Sequence, residues 1–277
     1  MKLSFNFLKQ PSLYAMLVLV GLLSLFPFYW MYVIGSSTNA AIASIPPTVT
    51  PGPNWSATWT HILEQIDLLT VFRNSFVVSI TVAVIQVFTS TLAGFAFAKL
   101  RFRGNNFLFG MVMVFLMIPV SLGIIPLYLL MANLGLVDTL LALILPYLVS
   151  VFGVFWMRQA MVSNVPQELI DSGSIDGAGY FRIYRNIALP MVRSSAFVLG
   201  LFTFLTTWND FAWPLIITQT PANFTAQVAV SQLNAANNPS YPAILGGSLV
   251  MAMPLIVLFV ITARQFVAGV MDGAVKG

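Results

Sequence analysis

Asn74-Ser-Phe-Val-Val-Ser-Ile-Thr-Val-Ala-Val-Ile-Gln-Val-Phe-Thr-Ser-Thr-Leu-Ala-Gly-Phe-Ala-Phe-Ala98 runs from Arg73 to Lys99 without a charged residue. Crossing a bilayer takes about 20 predominantly apolar residues at a rise of about 1.5 Å each, and this stretch supplies them. Worked outward from here, the same test finds five more candidate spans. One runs from about Leu13 to Ile34. The stretch from Gly104 to Val137 holds another, interrupted by Pro119 and Pro126, which should kink it or end its outer half. A further span lies between Asp138 and Arg158. The next starts after Arg193 and continues to about Ile217 with Asp210 inside it, and the last runs from about Ile244 to Ala263. Across all 277 residues, 58% are hydrophobic and only 7% are charged. An ordinary globular domain carries roughly 25% charge, so a water-soluble particle is excluded. Long blocks in place of short alternating runs exclude a membrane barrel. The expectation is an all-α membrane protein, one transmembrane domain over residues 1–277 with six transmembrane helices.

Charge placement sets the expected orientation. Lys2, Lys9, Lys99, Arg101, Arg103, Arg158, Arg182, Arg185, Arg193, Arg264 and Lys276 fall on one side, eleven of the twelve basic residues. Only Arg73 falls on the other, with Glu64, Asp67 and Asp138. The positive-inside bias then predicts that both termini are cytoplasmic. The net charge of +4 is read as topology, because the basic residues are scattered and form no nucleic-acid stripe. Lipid, not nucleic acid, is the expected surrounding. With no cysteine, thiolate metal sites and cysteine nucleophiles are excluded. The single histidine, His61, reads as a solvated loop residue. No catalytic or metal site is assigned. Ala41-Ile42-Ala43 resembles a signal-cleavage site, but the preceding apolar block ends in Phe26, Phe28, Tyr29, Trp30 and Tyr32, which suits a retained interfacial anchor. The outer loop from Ser36 to about Thr70, with Pro46, Pro47, Pro51 and Pro53, is expected to be extended. A second outer loop, Gln219 to Tyr241, holds Asn223, Asn234, Asn237, Asn238 and Pro239 and no charge.

The inner loop, residues 162–192, reads as helix, break, helix. Asn164 followed three residues later by Gln167 is a capping-box pattern, with Pro166 expected in the first turn. Gly177 can take the positive φ that ends this short helix. Tyr180, Phe181, Ile183, Tyr184 and Ile187 then give an apolar stripe at helical spacing. Such a stripe could lie on lipid headgroups, fold on the chain's own helices or dock to another protein.

The loop resembles the signature of bacterial ABC-importer permeases: a Glu-Ala-Ala triplet, three residues, Gly, nine residues, Ile, one residue, Leu-Pro. Here the positions are Asp171-Ser172-Gly173, Gly177, Ile187 and Leu189-Pro190, with every spacing kept. The triplet departs from the pattern, and Gly173 should weaken its helix by up to about 1 kcal/mol relative to Ala. More of the chain is similar to the maltose-type carbohydrate-uptake permeases, in particular to the shorter of their two membrane-spanning subunits. The residues that carry this are Arg73-Asn-Ser-Phe76, Ala93-Gly-Phe-Ala-Phe-Ala-Lys99, Met117-Ile-Pro119, Leu134-Gly-Leu-Val-Asp138, Glu168, Ile175-Asp-Gly-Ala178, Trp208-Asn-Asp-Phe-Ala-Trp-Pro214 and Gly273-Ala-Val-Lys-Gly277.

The resemblance implies the ABC importer permease fold, a bacterial inner or plasma membrane, a sister permease subunit, two ATPase subunits, an external solute-binding protein and a sugar substrate. It implies that Glu168, Asp171, Ser172, Gly173, Asp176, Gly177, Ala178, Ile187, Leu189 and Pro190 serve ATPase coupling in a cytoplasmic helix-turn-helix. The chain itself is not expected to be an enzyme or to hold a cofactor, ATP-Mg being bound by the partner ATPase subunits. The residues agree at one point: no Gly-x-x-x-x-Gly-Lys-[Ser/Thr] loop occurs to cradle phosphates. An ion-coupled secondary transporter of small polar solutes is the rival. It needs ionisable groups near mid-membrane, and only Asp210 qualifies. Thr206, Thr207, Trp208, Asn209 and Asp210, with Gln86, have the chemistry for a sugar path. They have a second reading, in which Trp208 and Trp213 are outer-interface aromatics and Asp210 holds a neighbouring helix. Likewise Ser79, Ala83, Gln86, Ser90 and Gly94 form one small-and-polar helix face, either a packing seam, which could be with the sister subunit, or a sugar-lined wall.

Overall fold

The computed structural model describes residues 11–42, 44–45, 49–235 and 240–274. Lys2, Lys9, Ala43, Pro46, Pro47, Asn237, Asn238, Pro239 and Lys276 lie outside them. Among the described residues the chain is helical, without strands. Helix α1 (Pro11–Gly35) covers the first expected span. A single turn, α2 (Asn39–Ile42), and α3 (Trp55–Gln65) follow. From Trp55 onward the first outer loop is therefore largely helical and not extended: its prolines stop short of Trp55, leaving an uninterrupted run for α3. His61 lies on this helix, its Nε2 3.0 Å from Gln65 Nε2 one turn on, so the expected loop position is corrected.

Helix α4 (Leu68–Lys99) contains the quoted stretch and starts before Arg73. The third span is broken. Helix α5 (Asn105–Leu116) and the segment Val120–Asn133, which contains α6 (Ile124–Asn133), meet at 90°. Pro119 accounts for the break, having no N–H to continue the helix. Pro126, in the first turn of α6, leaves it intact. The fourth span divides into α7 (Leu140–Ile144) with its 3-10 extension to Tyr147, and α8 (Val151–Asn164), bent by 43°. Both starts are capped: Thr139 Oγ1 accepts from Ala142 N and Ser150 Oγ from Gly153 N.

Helix α9 (Gln167–Ile175) opens the inner loop. The segment Tyr180–Met191 follows as α10 (Tyr180–Ile183), a π turn over Tyr184–Ala188 and α11 (Leu189–Met191). It meets α12 (Arg193–Trp208) at 80°. Helix α12 ends at Trp208, and α13 (Ala212–Ile217) starts anew, so Asp210 stands in a break and not within a continuous fifth span. Helix α14 (Ala226–Ala235) and the long α15 (Tyr241–Ala274) complete the chain. Among the described residues, three helices are long and apolar enough to cross a membrane unaided, and three bent pairs bring the number to as many as six if each pair is one span.

The chain divides into two compact units, residues 1–67 with 230–253 and residues 68–229 with 254–277. In the first, Trp55 wedges beside two glycines: a Cβ at Gly35 or Gly246 would approach its ring to 2.9 Å. In the second, α4 packs on α8 and α12. Small residues make the α4–α8 approach possible. A Cβ on Gly94 would stand 2.8 Å from the backbone of Met157 and Arg158, and one on Gly153 would collide with Ser90 Oγ. The small-and-polar face of α4 is thus a packing seam within this chain at Ser90 and Gly94.

Candidate functional site

The inner loop is held from inside. Ile170, Ile183 and Tyr184 are buried in a cluster with Phe95, Met157, Met161 and Leu199. Tyr184 Oη shares a 2.8 Å hydrogen bond with Thr91 Oγ1, tying the loop to α4. Gly173 faces the same interior, where a Cβ would come within 3.3 Å of Ile183 and Ile187. The turn at Gly177 is a Schellman motif: Ala178 N donates to Gly173 O and Gly177 N to Ser174 O, at 3.0 and 3.1 Å. Gly177 takes φ +79°, as its place in the motif requires.

Two expectations are corrected here. The N-cap of α9 is Pro166, just ahead of the first turn and without a side-chain cap, while Asn164 Nδ2 donates back to Ala160 O. Gln167 Nε2 reaches Asp171 Oδ1 at 3.1 Å. The apolar stripe also divides. Ile183 and Tyr184 turn inward, but Tyr180 and Phe181 are 63% and 60% exposed, beside Ile175 at 86%. Phe181 precedes Ile183 by two positions, which places it on the opposite side of a helical turn. Glu168, Asp171, Ser172 and Asp176 share the exposed side, Ala178 and Leu189 are half-buried and Pro190 is exposed.

The second feature is a cleft of about 700 Å³. Phe115, Ile118, Val120, Ile124 and Phe202 give it apolar walls. Gln86, Tyr147, Ser150, Thr203, Thr206, Thr207 and Asp210 give it polar groups. The Tyr147 hydroxyl donates to Asp210 Oδ2 at 2.9 Å, so Asp210 does hold a neighbouring segment while lining the cleft. Of the six residues expected on a sugar path, the structure brings Gln86, Thr206, Thr207 and Asp210 together here. Trp208 is 1% exposed and packs on Phe72, Phe76 and Phe204, so it is a core residue. Asn209 turns to Leu205 O and Gln227. Trp213 is also buried and donates to Ala142 O at 2.9 Å, so neither tryptophan is an interfacial aromatic.

Tyr147 and Thr203 escape the sequence reading because each stands in an apolar run whose breaks decide what it faces. A cap at Ser150 following Pro146 was the available signal for the break after Tyr147. Asp138 also gains a role. Its Oδ1 accepts from the backbone of Gln219 and Thr220 at 2.8 and 3.1 Å, and its Oδ2 from Thr220 Oγ1 at 2.8 Å. Asn74, fully buried, donates to Ala222 O and Phe224 O on the same loop. Ala226 N donates to Ser75 Oγ at 2.8 Å, so Asn74, Ser75 and Asp138 anchor the second outer loop.

Residues 86–271 match the family described as binding-protein-dependent transport system inner membrane component. The lactose transport system permease protein LacG of Rhizobium radiobacter is 34% identical over 263 residues, 95% of each chain. The arabinooligosaccharides transport system permease protein AraQ of Halalkalibacterium halodurans is 36% identical over 206 residues, 74% of each. The sn-glycerol-3-phosphate transport system permease protein UgpE of Agrobacterium fabrum is 30% identical over 93% of this chain and 94% of its own. A solved bacterial ABC transporter involved in import of the acidic polysaccharide alginate shares the fold, with a TM-score of 0.78 at 17% identity, over 91% of this chain and 94% of that one. Fold, multi-pass helices and sequence agree: the chain belongs to the binding-protein-dependent transport system inner membrane component family, the membrane permeases of ABC importers.

Proposed function

We propose that this chain lines the translocation path of an ATP-driven sugar importer together with a sister permease. Two separate ATPase subunits bind ATP-Mg, an external solute-binding protein delivers the sugar, and both termini lie in the cytoplasm. The relatives that transport lactose and arabino-oligosaccharides support a sugar. The carrying observation is the inner loop: a rigid turn at Gly177 presents Ile175, Tyr180 and Phe181 outward while Ile183 and Tyr184 are locked into the core. An exposed apolar patch on a firmly anchored base suits docking to a partner protein. Movement of that partner would pass through Tyr184 to Thr91 and α4, a wall of the cleft. Glu168, Asp171 and Asp176 supply polar groups around the patch.

The test is to purify the native complex through this chain, identify the subunits by mass spectrometry and measure ATP hydrolysis with the binding protein and a sugar panel. Co-purifying ATPase and sister permease, with hydrolysis stimulated by loaded binding protein, is the expected result. A functional transporter without an ATPase would overturn the reading.

A further inference from the structure

Resting on the reading of the cleft as part of a solute path, we infer that its solute is an electrically neutral saccharide, and that Asp210 and Tyr147 discriminate against phosphate- and carboxylate-bearing solutes. The relatives leave this open, since their named solutes include both neutral sugars and a glycerol phosphate. The lining decides between them. Among the described residues that line the cleft, none is Lys, Arg or His, and one, Asp210, is acidic. Phosphate and carboxylate recognition ordinarily relies on Arg or Lys. An anion here would meet the Asp210 carboxyl group beside apolar walls, with no cation among the described lining residues to hold it.

Asp210 cannot readily swing aside. Its Oδ2 accepts from Tyr147, and the backbone amides of Trp213 and Ala212 face the same carboxylate. What it offers a ligand is an acceptor of fixed position, suited to a sugar hydroxyl. Thr203 adds a further polar residue to the lining: it is only 3% exposed, and among the described residues its Oγ1 has no hydrogen-bond partner. Phe115 and Phe202 supply apolar surface for the C–H faces of a sugar ring. The volume of about 700 Å³ is within the range that encloses a small-molecule ligand.

The experiment uses the purified complex in lipid nanodiscs and measures equilibrium binding of radiolabelled lactose, maltose, sucrose and arabinotriose, with sn-glycerol 3-phosphate and digalacturonate as anionic probes. At least one neutral probe should bind, and neither anion should compete at tenfold excess. Asp210→Asn and Tyr147→Phe should each weaken neutral-sugar binding about tenfold, the scale of one charge-assisted hydrogen bond. Tyr147→Phe serves as the milder variant, since it removes one hydroxyl and keeps the ring. Binding of an anion as tight as that of the best neutral probe, binding by no neutral probe, or unchanged binding in both variants would overturn the inference. Stimulation of ATP hydrolysis by loaded binding protein is measured on the same preparation. Its absence would mark failure of the importer reading itself, whereas its presence with anion binding would sink only the neutral-solute inference.

Discussion

Gly177 is the position where a single atom decides the inner loop. Its φ of +79° lies in the left-handed region, which costs an L-residue roughly 1–2 kcal/mol and a β-branched one more. No atom lies within 4 Å of where its Cβ would be, so any penalty there is conformational and not a clash. Gly177→Val should therefore unseat the turn and the docking patch it orients, lowering ATP-driven uptake by about tenfold or more. Gly177→Asn should retain most uptake, because Asn tolerates this backbone conformation and space is open. Uptake is measured in cells at matched membrane levels of the protein. Equal losses in both variants would point to the added side chain and remove the turn from the coupling argument. Gly173 differs: it is excluded from solvent by Ile183 and Ile187, so its value lies in close packing more than in backbone freedom.

At the scale of elements, Asp138 fastens the second outer loop from a distance of about eighty residues in sequence. It sits at φ +59°, a conformation Asp tolerates better than most residues. Burial would raise its pKa, but the hydrogen bonds from Gln219 and from the Thr220 amide and hydroxyl outweigh it and hold the carboxyl below its ordinary range. A depressed carboxylate stabilises the fold above its unfolded pKa, near 3.9, and that contribution is lost as pH falls through the lower folded value. Protection of the Gln219 and Thr220 amides in hydrogen exchange should therefore hold at pH 5 and decline only well below pH 4. Asp138→Ala should lower that protection about tenfold at neutral pH while leaving α4 and α8 unaffected. Unchanged exchange would mean that Asn74 and Ser75 secure the loop without the Asp138 carboxylate. Helix existence was legible from the sequence because uncharged length is enough to identify a span, as between Arg73 and Lys99. The turn at Gly177 was legible from spacing and glycine. Breaks were read only in part: Pro119 announces one, while the breaks after Tyr147 and Trp208 depend on caps and packing inside apolar runs. Those two breaks bring Tyr147 to Asp210 and turn Trp208 into the core, so the cleft was the part the sequence left half-drawn.

For the molecule as a whole, the asymmetry of basic residues and the position of the inner loop make one joint claim about orientation. If eleven of the twelve basic residues are cytoplasmic, then the loop containing Gly177 faces the compartment that holds ATP. The loop anchored by Asp138 and Asn74 then faces the external binding protein. The chain has no cysteine, so single substitutions report sidedness without background. Ser56, Asn234, Asn106 and Ser174 are all exposed on their helices, so replacement disturbs no core. In sealed right-side-out cells, a membrane-impermeant maleimide should label Ser56→Cys and Asn234→Cys. Asn106→Cys and Ser174→Cys should react only after permeabilisation. Assembly with an ATPase partner should then slow labelling of Ser174→Cys in permeabilised cells, because this residue lies one position before Ile175 on the proposed docking patch. Labelling of Ser174→Cys from outside would reverse the orientation and separate the loop from any cytoplasmic ATPase. Correct sidedness with no protection by the partner would keep the topology and move the docking surface elsewhere on the cytoplasmic face.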